Sequence, residues 1–342
     1  MISKLDFSGL KAHLEKKLFW DRKSIEITPL LGGYSNLTFL VQTPKGKFTL
    51  RRPPVGDKIA KAHDVVRECR VVERLQMAGY LKSPRPVFLY EDVHLLGVPF
   101  FLMEFVEGIV LQDKIPDGIN FGPGDFQALS KSTLDSLIEL HLLELKQSGL
   151  INLGKPEGFV SRQVHGWIDR YQRAKTNDFP EMEKIGDWLK ANIPRKENIA
   201  FIHNDFKYNN LVLNPENVSE INAVLDWEMA TVGEPLMDLG TSLAYWTQAD
   251  DPDILKQFNL SHLPGNLTRK EVIEYYDIRT PFDLSDILFY YVFGLFKVGV
   301  IAQQIYRKFV QGYAKNPRFK AFIHVVKANG IKAEKAILTE KI

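Results

Sequence analysis

One stretch limits what this chain can be more than any other. It is Phe201-Ile202-His203-Asn204-Asp205-Phe206-Lys207-Tyr208-Asn209-Asn210-Leu211-Val212, followed by Ala223-Val224-Leu225-Asp226-Trp227-Glu228. It carries an aspartate, an asparagine five residues later and a second aspartate sixteen residues beyond that. Leu211-Val212-Leu213 and Ala223-Val224-Leu225 read as short buried strands, and Asn214-Pro215-Glu216-Asn217 between them reads as a turn. A hairpin of that kind is expected to bring Asn210 and Asp226 together at its open end, beside Asp205. Such a cluster offers one carboxylate as a proton acceptor and an amide–carboxylate pair as hard oxygen ligands. Mg²⁺ favours such ligands, taking one or two from protein and the rest from phosphate and water. That is the minimum equipment for moving a phosphoryl group to a hydroxyl.

Length and composition narrow the setting. At 342 residues, two domains are the natural expectation. The balance of 44 basic and 42 acidic residues, net charge +2, with no run of Lys or Arg, argues against a nucleic-acid partner. Cys69 is the single cysteine, which forbids an intrachain disulfide and fits a reducing, cytoplasmic location. The N-terminal residues lack the apolar core of a signal peptide. The most hydrophobic segment, 287–301, is interrupted by Lys297 and is short for a membrane span, so it is expected to be a buried helix with no membrane role.

Taken in order, the chain opens with a helix over 8–20 and then strands at 25–30 and 37–42, joined through Gly32-Gly33-Tyr34-Ser35-Asn36. Backbone N–H groups there, with Ser35 and Asn36, are suited to phosphate oxygens, although a Gly-Gly turn alone is commonly a plain hairpin. In the third strand, 48–51, alternation sets Thr49 and Arg51 on the face opposite Phe48 and Leu50. A helix over about 64–78 presents Val65, Val66, Cys69, Val72 and Leu75 to the core. It carries Glu68, which can pair with Arg51 and aim it, or form an ordinary surface ion pair. Strands at 87–90 and 100–106 complete an α+β region that ends at Glu107-Gly108.

Beyond that point the patterns are helical: 125–145, 161–174, 181–192, a helix from Pro235, then 269–276, 284–309 and 317–338. His141 reads as a structural, hydrogen-bonded histidine. Asp238 reads as a cap or brace for the central loop. Arg162, Arg170 and Arg173 fit a solvated helix face or an anionic ligand.

His203-Asn204-Asp205-Phe206-Lys207-Tyr208-Asn209-Asn210 resembles the H-x-D-x-x-x-x-N loop of the aminoglycoside phosphotransferase and choline kinase family. Leu225-Asp226-Trp227-Glu228 resembles its metal-binding segment. Gly33-Tyr34-Ser35-Asn36-Leu37-Thr38, Arg67-Glu68, Met103-Glu104-Phe105-Val106 and Leu140-His141 fall in the family's order, so the likeness covers about 25–330. The nearest branch is the one also found fused to acyl-CoA dehydrogenases, through 48–54, Ala62-His63-Asp64 and Arg67-Glu68. Arg51 stands where a nucleotide-binding lysine is usual, and Asn204 where glycine is commonest.

The resemblance implies an α+β, bilobal protein-kinase-like fold. Its N-terminal nucleotide-binding lobe, 1–106, would hold an antiparallel five-stranded sheet, and a larger helical C-terminal lobe, 107–342, would hold the catalytic and substrate sites. It further implies nucleotide binding by Ser35, Asn36, Arg51, Glu68, Met103, Glu104, Val106 and Val212. Asn210 and Asp226 would hold Mg²⁺ as ligands, with ATP or GTP as phosphoryl donor and Asp205 as base toward a hydroxylated small molecule. His203 would brace the loop, and Glu228 would assist a second metal or stabilise the loop. The acceptor would be a metabolite or antibiotic, with a hydroxyacyl-CoA-like compound preferred because no acidic cluster suited to aminoglycosides lies in 110–200. Two other classes compete. A nucleotide-binding pseudokinase would lack Asp205, Asn210 or Asp226, and all three are present. A metal-dependent hydrolase would show more histidine ligands.

Overall fold

The structure, a computed structural model, describes residues 5–30, 36–54 and 64–342. Ser35, Gly33-Tyr34 and Ala62-His63 lie outside the described residues. In order the elements are α1 (Ser8–Leu18), β1 (Glu26–Leu30), β2 (Leu37–Thr43), β3 (Gly46–Arg52), α2 (Val65–Met77), β4 (Pro86–Tyr90), β5 (Phe100–Glu104), α3 (Pro123–His141), α4 (Phe159–Ala174) and α5 (Pro180–Ala191). There follow β6 (Ala200–Ile202), β7 (Leu211–Leu213), β8 (Ile221–Val224), β9 (Thr231–Gly233), α6 (Pro235–Tyr245), α7 (Asp253–Lys256), α8 (Arg269–Asp277), α9 (Ile287–Val310) and α10 (Phe322–Thr339). The chain divides into two compact units, Met1–Glu107 with Asn222–Ala230, and Gly108–Ile221 with Thr231–Ile342.

The first unit is built on an antiparallel five-stranded sheet of order β1-β2-β3-β5-β4. Phe48 and Leu50 pack with Leu10, Leu14, Trp20, Phe39 and Val41 into one apolar cluster. Period-two alternation turns Thr49 and Arg51 to the other face, where Arg51 meets Glu68 of α2. On α2 the buried apolar residues are Val65, Cys69, Val71, Val72 and Leu75, so Val71 takes the place expected of Val66. Four contacts explain why 222–230 belongs to this unit. The Val224 N–H donates to the Lys82 carbonyl at 2.7 Å, and Asn222 Nδ2 donates to the Glu107 carbonyl at 3.2 Å. Arg67 Nη2 donates to the Ala230 carbonyl at 2.6 Å, and Trp227 packs edge-on to Tyr80 at 5.7 Å.

The second unit is organised on α9, against which α4, α6 and α10 pack. Two glycines permit the closest of these approaches. A Cβ on Gly240 would lie 2.2 Å from the Tyr290 carbonyl oxygen, and one on Gly294 would lie 2.2 Å from the Gly240 carbonyl oxygen. α9 is long and apolar enough to cross a membrane, yet 78% of its most apolar window is buried, which makes it the core helix of this unit. β6 and β9 pair antiparallel, with Phe201 opposite Val232. At three residues each they are too short to show alternation, and the sequence reading passes over both. The α3 helix stops at His141 and not at 145, because the Glu144 carboxylate accepts the N–H groups of Lys146 and Gln147 and closes a turn. Residues 317–321 form a separate 3₁₀ turn before α10.

Candidate active site

The residues expected at the site form two clusters, one in each unit. In the second unit the chain leaves β6 and passes through Asn204 in the left-handed region, at φ +69°. Glycine is favoured there because it has no Cβ, and asparagine is among the side chains that best tolerate it. The turn is held from behind by Asp238, at the start of α6. Its Oδ2 accepts the His203 N–H at 2.6 Å, and its Oδ1 accepts the Asn204 N–H at 2.7 Å. His141 Nε2 lies 3.2 Å from the same carboxylate, and His141 Nδ1 lies 2.7 Å from the Tyr276 hydroxyl. Burial opposes ionisation of Asp238, but the hydrogen bond and charge of His141, with His203, hold its pKa below the ordinary value. Asp238 and His141 are therefore braces.

Asp205 follows immediately. Lys207 Nζ donates to both of its carboxylate oxygens, at 2.9 and 2.8 Å, and lies 4.6 Å above the Tyr245 ring. Asn210 Nδ2 donates to the Asp205 carbonyl at 2.8 Å and to its Oδ2 at 3.2 Å. That commits the amide nitrogen and leaves Oδ1, the hard donor, as the free end of the Asn210 amide. His203 Nδ1 accepts the Asp205 N–H at 3.2 Å, a bracing role. Beneath the turn, Lys297 of α9 donates to the Asn204 carbonyl at 2.6 Å and approaches Thr241 Oγ1 at 3.4 Å. Burial lowers its pKa to about 8, against the pull of Asp238 and Asp205. Val212, on β7, is buried, and Gly108 runs so close that a Cβ there would meet the Leu213 carbonyl oxygen at 2.3 Å.

In the first unit Arg51 is the centre. Its Nε forms an ion pair with Glu68 at 3.2 Å, its Nη2 donates to Asp226 Oδ1 at 3.2 Å, and Glu228 lies 3.7 Å away. Asn36 Nδ2 donates to Glu228 at 3.1 Å, so its amide is tied to that carboxylate. Burial works against the Arg51 charge, but the three carboxylates outweigh it and keep the guanidinium protonated. Burial raises the Glu68 pKa to about 7 despite Arg51 beside it. With Arg51 permanently charged, the ion pair is the state at and above neutrality.

Formally, three carboxylates and one guanidinium sum to −2, a surplus that suits a divalent cation. Asp226, the most exposed of the three carboxylates, is itself left-handed, at φ +68°. Among the described residues no group of three or more His, Cys, Asp or Glu side chains could hold a metal alone. A magnesium ion would therefore need outside oxygens, as phosphate provides. Met103 and Glu104 lie on β5, with the Glu104 N–H bonded to the Arg85 carbonyl at 2.9 Å, and Val106 follows in the loop. Sequence reasoning assigned no site role to Lys207, Lys297 or Arg67. Only Lys207, two residues from Asp205, carries a local signal.

A carboxylate positioned by lysine and asparagine, and an acidic cluster around one arginine, are the parts of a phosphoryl-transfer enzyme. Residues 26–271 match the phosphotransferase enzyme family, and the chain belongs to that family. It is similar to acyl-CoA dehydrogenase family member 10 of Mus musculus, 32% identical over 288 residues, covering 83% of this chain and 26% of that protein. It is also similar to acyl-CoA dehydrogenase family member 11 of Homo sapiens, 31% identical over 331 residues, covering 94% of this chain and 42% of that protein. The chain thus spans well under half the length of these relatives. Among solved structures it matches a protein from Ralstonia eutropha JMP134 classed as an aminoglycoside phosphotransferase. The TM-score is 0.80 at 26% identity, over 97% of this chain and 99% of that one. The fold is also that of choline kinase from Cryptosporidium parvum, at TM-score 0.69 and 14% identity over 98% and 97% of the two chains. The chain is a phosphotransferase-family domain with a protein-kinase-like α+β fold.

Proposed function

We propose that this phosphotransferase is a small-molecule kinase, passing the γ-phosphate of ATP or GTP to a hydroxyl. The observation that carries this reading is the Asp205 carboxylate, fixed by Lys207 and Asn210 on a turn that Asp238 and Lys297 hold from the other side. In this reading Asp205 orients the acceptor hydroxyl and accepts its proton, and Lys207 offsets charge on the phosphoryl group. Asn210, through Oδ1, and Asp226 are the protein ligands of Mg²⁺, which would neutralise phosphate charge. The surplus of negative charge around Arg51 supports a cation at Asp226. Arg51 and Asn36, with Ser35, serve the phosphates. Met103, Glu104, Val106 and Val212 serve the base, and Glu68 aims Arg51. Catalysis then rests on positioning and charge neutralisation.

The acceptor is proposed to be a hydroxylated metabolite, with hydroxyacyl-CoA-like compounds the first to test, in a reducing cytoplasmic setting without nucleic-acid or membrane partners. The test is γ-phosphate consumption across a panel of hydroxyacyl thioesters, amino alcohols, sugars and aminoglycosides. The reading expects saturable, magnesium-dependent turnover with one class, abolished in Asp205→Asn. Tight Mg-ATP binding with no turnover on any hydroxyl acceptor would instead favour a nucleotide-binding module without activity.

A further inference from the structure

A second concave site lies in the helical unit, lined by none of the residues assigned above. Arg170, Arg173 and Ala174 of α4 line a cavity of about 360 Å³ with Gln304, Arg307, Lys308 and Gln311 from α9 and the residue following it. The sequence spacing makes this a built stripe. Arg170 and Arg173 are one turn apart, and 304, 307, 308 and 311 follow the i, i+3, i+4, i+7 repeat of a single helical face. Four cations and two amides converge, and no acidic residue lines the cavity.

The charge is uncompensated. Among the described residues none of the four cations forms an ion pair with a carboxylate. Arg173 Nε donates only to the Asp169 carbonyl, at 3.2 Å, which leaves its two terminal nitrogens for other partners. The Arg170 guanidinium carbon lies 4.5 Å from the centre of the Trp167 ring, a stack that fixes its plane in advance. Desolvation, and then the like charge of Arg173, depress the Arg170 pKa. Arg307 and Lys308 also lie in the last turn of α9, where cations offset the helix dipole. Arg173 likewise lies in the last turn of α4, so the dipole accounts for three of the cations and gives no reason for Arg170, which lines the same cavity.

We propose that this groove binds the phosphate-bearing end of a small molecule, a di- or triphosphate or a phosphate ester. Paired guanidinium forks match phosphate oxygens with two N–H groups each, and glutamine amides add neutral donors. The cavity is of small-ligand size. The proposal stands whether or not the kinase reading holds, because it uses none of the residues assigned to that reaction.

The test is calorimetric titration of the full chain with inorganic tripolyphosphate and, separately, orthophosphate. The parent should bind tripolyphosphate saturably and at least about tenfold more tightly than orthophosphate. Arg170→Gln with Arg173→Gln and Arg307→Gln should lose about tenfold or more in tripolyphosphate affinity, the size expected for one lost charge-assisted contact or more. Arg173→Gln alone should show a smaller loss in the same direction. A charge-matched control, Arg195→Gln with Lys196→Gln and Lys320→Gln, removes three exposed cations elsewhere and should bind like the parent. Equal losses in groove and control variants, or equal affinity for the two anions, would overturn the proposal. Magnesium-dependent ATP affinity, measured on the same variants, reports separately on the site around Asp226.

Discussion

Asp205 and Asp226 are the two carboxylates to which the proposed function assigns the chemistry, and their settings differ. Asp205 meets one cation, Lys207, which binds both of its oxygens. Asp226 shares one cation, Arg51, with Glu68 and Glu228. A carboxylate in local balance suits a directional task, receiving a hydroxyl proton. A carboxylate in negative surplus suits a hard cation. Their supports differ as well. The Asp205 turn is anchored by side chains of α3, α6 and α9 in its own unit, namely His141, Asp238 and Lys297. The Asp226 segment is anchored by α2, through Arg67, and by Tyr80 and Lys82 just beyond it. Each cluster places one non-glycine residue in left-handed backbone, Asn204 or Asp226, which aims the functional side chain at some cost in strain.

This contrast is most severely broken at Asp238. Asp238→Ala strands the His203 and Asn204 N–H groups and the buried His141, and should destabilise the protein by about 3–5 kcal/mol, the cost of breaking a buried charged network. Urea unfolding measures it. A loss below about 1 kcal/mol would mean that the turn does not depend on this carboxylate. Next in size is Arg51. Arg51→Ala, made with Glu68→Gln so that no buried carboxylate is left unpaired, should weaken nucleotide binding by roughly 1.5–3 kcal/mol, as for lost charge-assisted bonds. Unchanged affinity would move the phosphate role elsewhere.

The smallest effect sharpens the comparison through pH. The Lys297 pKa in the folded chain, about 8, lies below its ordinary 10.5. Between those values the unfolded chain holds a proton that the folded chain has released, so stability contributed by this group rises with pH across that window. It is lost again as pH falls toward 8. Lys297→Met should remove that slope, seen as a parent-minus-variant stability difference that grows from pH 8 to about 10.5. A difference flat with pH would show that burial does not lower the Lys297 pKa.

Much of this was legible beforehand where a local pattern carries it. Alternation over 48–51 set Arg51 opposite the Phe48 and Leu50 face, and helical spacing put Glu68 on α2, where the two meet at 3.2 Å. The bracing role of His141 followed from its core-like neighbours, and that of Asp238 from its place at the start of a helix. What escaped is carried by long-range contact. Lys297 reads as a break in an apolar run, and the packing of α9 on α6, close at Gly240 and Gly294, accompanies its reach to the Asn204 carbonyl. Arg67 reaches across more than 160 residues to Ala230. Asn204 in place of glycine had no resolution in the sequence, and its positive φ supplies one.

The division of labour between the two carboxylates is tested most directly by calorimetric titration of Mg-ATP into Asp205→Asn and Asp226→Asn, beside the parent. Asp205→Asn should bind Mg-ATP like the parent, while its turnover on an identified acceptor falls about 10²-fold or more. Asp226→Asn should lose magnesium-dependent affinity, with partial recovery in excess Mg²⁺, because an amide is a poorer ligand than a carboxylate for a hard cation. If both variants bind Mg-ATP as the parent does, the metal role of Asp226 is wrong.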